Sequence, residues 1–165
     1  MVMKSPPTDD ITRERILSAA TGYLELGLAD MAWDELNDLS AGDRLHPDVQ
    51  EFILSLLVRE NRWEEAVAAG QPLCTDPAAP PAIFIHTAFA LHELGQTEQA
   101  RATLLRGPDS LRSDPLYHYN MACYLAIGGE FQDAEVCLRT AFQMDPKLRA
   151  HAQTDPDLIG LQAVP

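Results

Sequence analysis

Long apolar runs and clusters of basic residues are both missing from this chain of 165 residues. Because no uninterrupted apolar stretch reaches about 18 residues, the sequence predicts no membrane-spanning helix. The 12 Lys and Arg residues stand against 25 Asp and Glu residues, which gives a net charge of −13. A protein that reads nucleic acid normally needs a basic face to displace counterions from phosphates. We therefore expect neither a nucleic acid nor a membrane as the partner.

Cysteine and histidine are too scattered to form a recognisable ligand set. The cysteines Cys74, Cys123 and Cys137 are odd in number and form no CxxC pair, which predicts free thiols in a reducing cytoplasm. The histidines form no HExxH or HxxxH pair, so we expect no metal site and no cofactor. The catalytic motifs of a Ser/His/Asp order, a phosphate-cradling glycine loop or paired carboxylates are also missing, which argues against an enzyme.

What the chain does have is an internal repeat of 34 residues. One column of the repeat holds residues that tolerate a left-handed backbone: Gly27, Asn61, Gly95 and Gly129. A second column, five positions later, holds alanine: Ala32, Ala66, Ala100 and Ala134. Each repeat therefore predicts two helices, the first ended by the Gly or Asn and the second packed closely through the alanine.

Two further patterns support the helices. Ile16, Ala19, Ala20 and Tyr23 have the i, i+3, i+4, i+7 spacing of an amphipathic helix. A proline column opens the second, third and fourth repeats, where a first helical turn loses no hydrogen bond: Pro47, Pro81 and Pro115. Pro72 and the Gly107-Pro108 pair are expected to shorten two of the second helices.

These columns resemble the tetratricopeptide repeat (TPR) family, which has the same period and the same small and apolar positions. The fourth repeat carries the resemblance best, in residues that stand at the family's spacings: Met121, Ala122, Leu125, Gly129, Phe131, Ala134, Leu138, Ala141 and Pro146. The family's early Trp is absent from every repeat. The resemblance implies an all-α fold, a right-handed superhelix of four helix-turn-helix repeats with a C-terminal capping helix.

The predicted organisation has three parts. Residues 1–10 lack the apolar stretch of a secretory signal and are expected to be a disordered lead-in. The repeats occupy 11–148, with the boundaries 13–46, 47–80, 81–114 and 115–148. Residues 149–165 form the cap and tail, in which we expect a capping helix over 147–154 and an apolar clip made of Leu158, Ile159 and Leu161.

The resemblance also places a binding groove on the first helix of each repeat. Mapped onto this sequence, the predicted groove residues are Leu17, Thr21, Leu24, Glu51, Ser55, Ile85, His86, Phe89, His92, Tyr119, Asn120 and Cys123. The first two repeats present carboxylates there, and the last two present apolar side chains. We therefore expect a protein or peptide partner with an aliphatic anchor next to Lys or Arg. An alternative is that Phe89 and Tyr119 pack only against the tail or a neighbouring repeat.

The function that these features predict is a non-enzymatic protein–protein interaction module, a scaffold or adaptor of the cytoplasm. Two alternatives stay open. One is a cytoplasmic chaperone of the secretion type, which would co-purify with an aggregation-prone client and raise its solubility. The other is a homodimerising scaffold, because an exposed apolar face can pair across a two-fold axis. The chain is accordingly expected to be a monomer or a homodimer.

Overall fold

A computed structural model describes residues 10–161, which are helical and contain no strand. The α-helices of this range are α1 (Asp10–Glu25), α2 (Ala29–Asn37), α3 (Pro47–Arg59), α4 (Trp63–Leu73), α5 (Pro81–Glu93), α6 (Thr97–Arg106), α7 (Pro115–Ile127), α8 (Phe131–Met144) and α9 (Leu148–Ala152). Short 3-10 turns cover Asp43–Leu45, Asp109–Ser113 and Pro156–Leu161. The all-α class is confirmed. Most of the predicted lead-in, residues 1–9, and residues 162–165 of the predicted tail lie outside the described residues.

The Gly and Asn column ends helices as the sequence predicts. Its members have positive φ angles, namely Gly27 (75°), Asn61 (57°), Gly95 (75°) and Gly129 (78°). In every case the next residue donates its N–H to the carbonyl five positions back, and the N···O distance is 2.9 Å for Leu28–Tyr23, Arg62–Leu57, Gln96–Leu91 and Glu130–Leu125. This is the Schellman closure, which satisfies carbonyls that the helix end leaves without a partner.

The alanine column is fully buried. The exposed fraction is 0% at Ala32, Ala66, Ala100 and Ala134. Helices α1 and α2, α5 and α6, and α7 and α8 pack against one another as consecutive pairs. A methyl side chain at this position lets the two backbones of a pair approach closely, which a longer side chain would prevent.

The prolines behave in two ways. Pro47, Pro81 and Pro115 begin α3, α5 and α7, and α6 ends directly before Gly107, as the sequence predicts. At Pro72 the helix α4 runs on by one residue to Leu73, and the Cys74 N–H still bonds the Gly70 carbonyl at 3.0 Å. With 11 residues against the 14 of α8, α4 ends beside Pro72 in agreement with the predicted shortening.

The chain divides into two compact units, residues 1–62 and 63–165, and the division falls inside the predicted repeat 47–80. The first unit buries an aliphatic cluster made of Ile16, Ala20, Leu24, Ala32, Leu36, Leu39, Val49 and Leu56. Trp33 stays half-buried there, with its indole N–H on a Glu60 carboxylate oxygen at 2.7 Å. The second unit buries a larger cluster, which includes the aromatic residues Phe84, Tyr117, Tyr119, Tyr124 and Phe142.

A helix, α9 at Leu148–Ala152, lies within the range 147–154 predicted for the cap, and the clip after it is partly as expected. Leu158 and Leu161 are buried, whereas Ile159 is 64% exposed, so its place in the clip is a wrong prediction. The turn Pro156–Leu161 is a 3-10 helix, in which residues three apart share a face and the residue between them points elsewhere. Among the helices of residues 10–161, none combines the length and the apolarity that crossing a bilayer requires.

Candidate functional site

In the second unit, a cavity of about 230 Å³ lies between α5 and α7. All of the groove residues that the sequence predicts on these two helices line it: Ile85, His86, Phe89, His92, Tyr119, Asn120 and Cys123. Leu116, at the start of α7, lines it as well. The structure thus brings together side chains from the first helices of the third and fourth predicted repeats.

Helical spacing explains this convergence. Ile85, Phe89 and His92 stand at i, i+4 and i+7 on α5, so they share one face of the helix. Leu116, Tyr119 and Cys123 have the i, i+3, i+7 spacing on α7 and face the same cavity.

The position of Phe89 is fixed by an aromatic contact. The ring of Trp63 from α4 meets it edge-on, with ring centroids 5.7 Å apart and planes at 78°. This T-shaped geometry is a favourable arrangement for aromatic pairs.

The cavity has a third wall, which the sequence analysis anticipated only in the alternative that Tyr119 packs against the tail. It comes from Tyr124, His151, Asp155 and Asp157. Tyr124 extends the α7 face, whereas the others belong to the chain after α8. The sequence predicts a capping helix and an apolar clip for this part of the chain, but its short pattern does not tell which side chains face α5 and α7.

Two carboxylates attach this tail to the helices. The Tyr119 hydroxyl donates to Asp155 Oδ2 at 2.7 Å, and the Cys123 thiol lies 3.8 Å from the same oxygen. His92 Nε2 lies 2.8 Å from Asp157 Oδ2, and its Nδ1 lies 2.9 Å from the Thr97 hydroxyl. Since an ionised carboxylate can only accept, Nε2 of His92 carries the proton of the first of these bonds.

The electrostatic environment keeps the neighbouring donors protonated. Burial raises the pKa of the Tyr119 phenol, and its hydrogen bond to Asp155 raises it further. Burial also raises the pKa of the Cys123 thiol, with the Asp155 and Asp157 carboxylates adding to the effect. An activated cysteine nucleophile needs the opposite, a depressed pKa beside positive charge. The site therefore offers neutral donors to fixed carboxylates.

Three potential metal ligands also meet at this wall. The Cys123 sulfur and one oxygen each of Asp155 and Asp157 lie within 4.8 Å of one another. The carboxylates already receive hydrogen bonds from Tyr119 and His92, which hold them in place without a cation. Direct bonds among protein groups account for this cluster.

The groove residues predicted in the first unit form a separate hollow. Leu17, Thr21, Glu51 and Ser55 line a space of about 340 Å³ together with Asp48 and Phe52. Leu24 instead packs into the aliphatic cluster of this unit.

The carboxylate of this hollow is perturbed. Partial burial raises the pKa of the Glu51 carboxyl, and the charge of Asp48 raises it further. Asp48 and Glu51 thus both lie at this hollow, and the charge of Asp48 adds to burial in disfavouring the ionised form of Glu51.

A further hollow of about 390 Å³ lies on α8 and the tail, lined by Leu138, Phe142, Arg149, Ala152, Gln153, Leu158 and Leu161. Although it is larger than the α5–α7 cavity, it contains none of the predicted groove residues. Arg149 lies over the Phe142 ring at 4.9 Å and covers part of this apolar surface. We therefore take the α5–α7 cavity as the candidate site.

Comparison with known proteins gives no relative from which a function could be transferred: no family model matches the chain, and no curated protein matches it.

Proposed function

We propose that this protein is a non-enzymatic interaction module of the TPR type, which binds a peptide segment of a partner protein in the α5–α7 cavity. The observation that carries the proposal is the convergence of the predicted α5 and α7 groove residues on one cavity. The regular helix ends and buried alanines support the family, and the right-handed superhelix is part of the same proposal. Ligand sites in proteins are typically concave and apolar with a few placed polar groups, which describes this cavity.

The chemistry of the cavity favours an apolar anchor side chain. Ile85, Phe89 and Leu116 provide the apolar surface, and Phe89 is held in place by Trp63. A volume of about 230 Å³ suits one large side chain better than a whole helix face. Buried apolar anchors of this kind supply much of the binding energy in protein interfaces.

The charge of the chain favours a basic residue next to that anchor. Asp155 and Asp157 stand at the cavity, and the whole chain carries a net charge of −13. Such a field attracts a Lys- or Arg-bearing segment and accelerates the encounter, and added salt should weaken the attraction. The proposed partner therefore presents an aliphatic or aromatic side chain beside a cation.

Selection of peptides from a phage-displayed random library on the full chain tests this function. We expect enriched peptides with an apolar residue next to Lys or Arg, whose binding is lost in Phe89→Asp. Leu105→Asp is the matched control, because Leu105 is exposed on α6 and does not line the cavity. If no peptide is enriched, or if the enriched peptides bind Phe89→Asp equally well, this function is wrong.

Homodimerisation is a second candidate, favoured by exposed apolar residues at the end of α7 and on α8. These are Ile127, Phe131, Val136 and Met144. Sedimentation over a concentration series separates the two candidates, because the apparent molar mass rises with concentration only if the chain forms a homodimer. A homodimer that Val136→Asp dissociates would support the scaffold.

A further inference from the structure

The C-terminal segment, residues 154–161, is fastened to the same two helices that form the cavity. Tyr119 of α7 holds Asp155, and His92 of α5 holds Asp157. Leu158 and Leu161 are buried, with exposed fractions of 3% and 5%. The segment is thus attached through two carboxylates and two buried apolar side chains.

The carboxylate of Asp155 bonds to its own segment as well as to α7. Asp155 Oδ1 also accepts the Asp157 backbone N–H at 3.0 Å, so one carboxylate both shapes the turn and binds Tyr119. The Tyr119 phenol is a donor at neutral pH, and burial raises its pKa above the ordinary value of 10, so it stays a donor in mildly alkaline solution as well. Hydrogen bonds to a charged acceptor are stronger than neutral ones, so these contacts add to the burial of Leu158 and Leu161 in fastening the segment.

The segment borders the cavity and does not fill it. Asp155 and Asp157 line the wall, and a volume of about 230 Å³ remains beside Phe89 and Leu116. An autoinhibitory tail would place a side chain of its own in that space. A wall that borders the cavity on one side can enclose a side chain that enters it.

We propose that the C-terminal segment is a movable wall of the peptide site, held closed by the Tyr119–Asp155 and His92–Asp157 contacts, and that it encloses the partner's apolar anchor. The inference rests on the proposed function. Tyr119 and His92 then act as positioning residues for the wall.

Thermodynamic linkage gives this wall a measurable consequence. If an anchored peptide binds the closed form best, binding must favour closure to the same degree that closure favours binding. A variant with a looser segment then binds more weakly, in proportion to the fraction of molecules that remain closed. Since enclosure slows escape, the loss should appear mainly in the dissociation rate.

The experiment uses a peptide selected on the full chain for binding that Phe89→Asp abolishes. Its affinity and dissociation rate are measured for Tyr119→Phe, Asp157→Ala and the double variant, together with hydrogen exchange of residues 154–161. Tyr117→Phe is the control for the lost hydroxyl, since Tyr117 lies on α7 away from the cavity. Asp133→Ala is the control for the lost charge, since Asp133 is exposed in the first turn of α8.

We expect opening of the segment to increase about tenfold in each single variant, as the loss of one hydrogen bond to a charged group predicts. Peptide dissociation should accelerate in the double variant, and bound peptide should slow exchange of residues 154–161 in the unaltered protein. Asp157→Asn, which keeps an acceptor for His92, should restore part of the affinity lost in Asp157→Ala.

Three outcomes would contradict the proposed wall. Tighter binding in the double variant would show a competing tail, and unchanged binding with faster exchange would place the segment outside the site. Unchanged exchange in both single variants would equally contradict the proposed contacts. In each of these outcomes the Phe89-dependent peptide still exists, so the interaction function survives the failure of the wall.

Discussion

The two compact units share one type of helix pair but differ in how they enclose space. In the first unit, the hollow beside α1 and α3 is lined by Thr21, Asp48, Glu51 and Ser55, with Leu17 and Phe52 as its apolar part. In the second unit, aromatic and aliphatic side chains line the cavity, and a segment outside the repeats closes one side. The repeat therefore supplies helix faces in both units, whereas the tail closes one side of the cavity in the second unit only.

The cores differ in the same direction. The buried cluster of the first unit is aliphatic, while its aromatic residues Tyr23, Trp33 and Phe52 are only partly buried. The second unit buries Phe84 completely and Tyr124 to an exposed fraction of 2%. Because aromatic side chains bury the largest apolar areas, we expect truncation to be more damaging in the second unit.

The largest expected effect tests whether the two cores differ in their contribution to stability. Phe84→Ala should lower the free energy of unfolding of the second unit by about 3–5 kcal/mol, through lost burial and the cavity left behind. Phe52→Ala, a half-buried position of the first unit, should cost less than half as much. Urea denaturation combined with hydrogen exchange of each unit measures both values. Equal losses of unfolding free energy in the two variants would mean that the aromatic core of the second unit does not make it more sensitive to truncation.

A second prediction concerns the close helix packing at the buried alanines, which both units have. Ala134→Leu in the second unit and Ala32→Leu in the first should each cost about 1–3 kcal/mol, because a larger side chain cannot enter a closely packed helix pair. Ala102→Leu, at an exposed position of α6, should change the stability by less than about 0.5 kcal/mol. Thermal denaturation is sufficient to rank the three. A tolerated leucine at Ala32 alone would restrict the close packing to the second unit.

Most of the helical layout could be predicted from the sequence, because it depends on local rules. A residue whose backbone adopts the left-handed conformation ends a helix wherever it occurs. Gly95 and Asn61 both do so, although their side chains differ. The docking of Asp155 and Asp157 could not be predicted, since it depends on contacts with distant residues and not on a period. Ile159 illustrates the same limit, because apolarity alone does not tell which face of a short 3-10 turn is covered.

The next prediction compares a helix end in each unit. Gly95→Ala should cost about 1 kcal/mol, because alanine is strained at positive φ. No atom lies within 4 Å of the added Cβ apart from near chain neighbours, so the cost is one of backbone strain and not of collision. Asn61→Gly should be neutral or slightly stabilising, since glycine adopts this conformation freely. Urea denaturation measures both, and a neutral Gly95→Ala would contradict the assigned strain.

The smallest expected effect concerns the acidic hollow of the first unit. The folded pKa of the Glu51 carboxyl lies above its ordinary value of 4.5, because of partial burial and the charge of Asp48. The folded state therefore binds this proton more tightly than the unfolded state, and stability falls as the pH rises from 4.5 through the raised pKa. Glu51→Gln, which carries no charge, should be more stable than the unaltered protein at pH 7 and should lose that advantage below pH 4.5.

The magnitude should stay below about 1 kcal/mol, since solvent screens a half-exposed carboxylate. Glu25→Gln, at an exposed position of α1, is the control for the loss of one charge. Urea denaturation at several pH values gives the comparison. A stabilisation at pH 7 that Asp48→Asn reproduces would assign the cost to repulsion between the two carboxylates. A Glu51→Gln effect that persists at pH 4 would instead assign it to packing. In the second unit the Asp155 and Asp157 carboxylates accept hydrogen bonds from Tyr119 and His92, whereas the Glu51 carboxylate of the first unit lies beside another carboxylate.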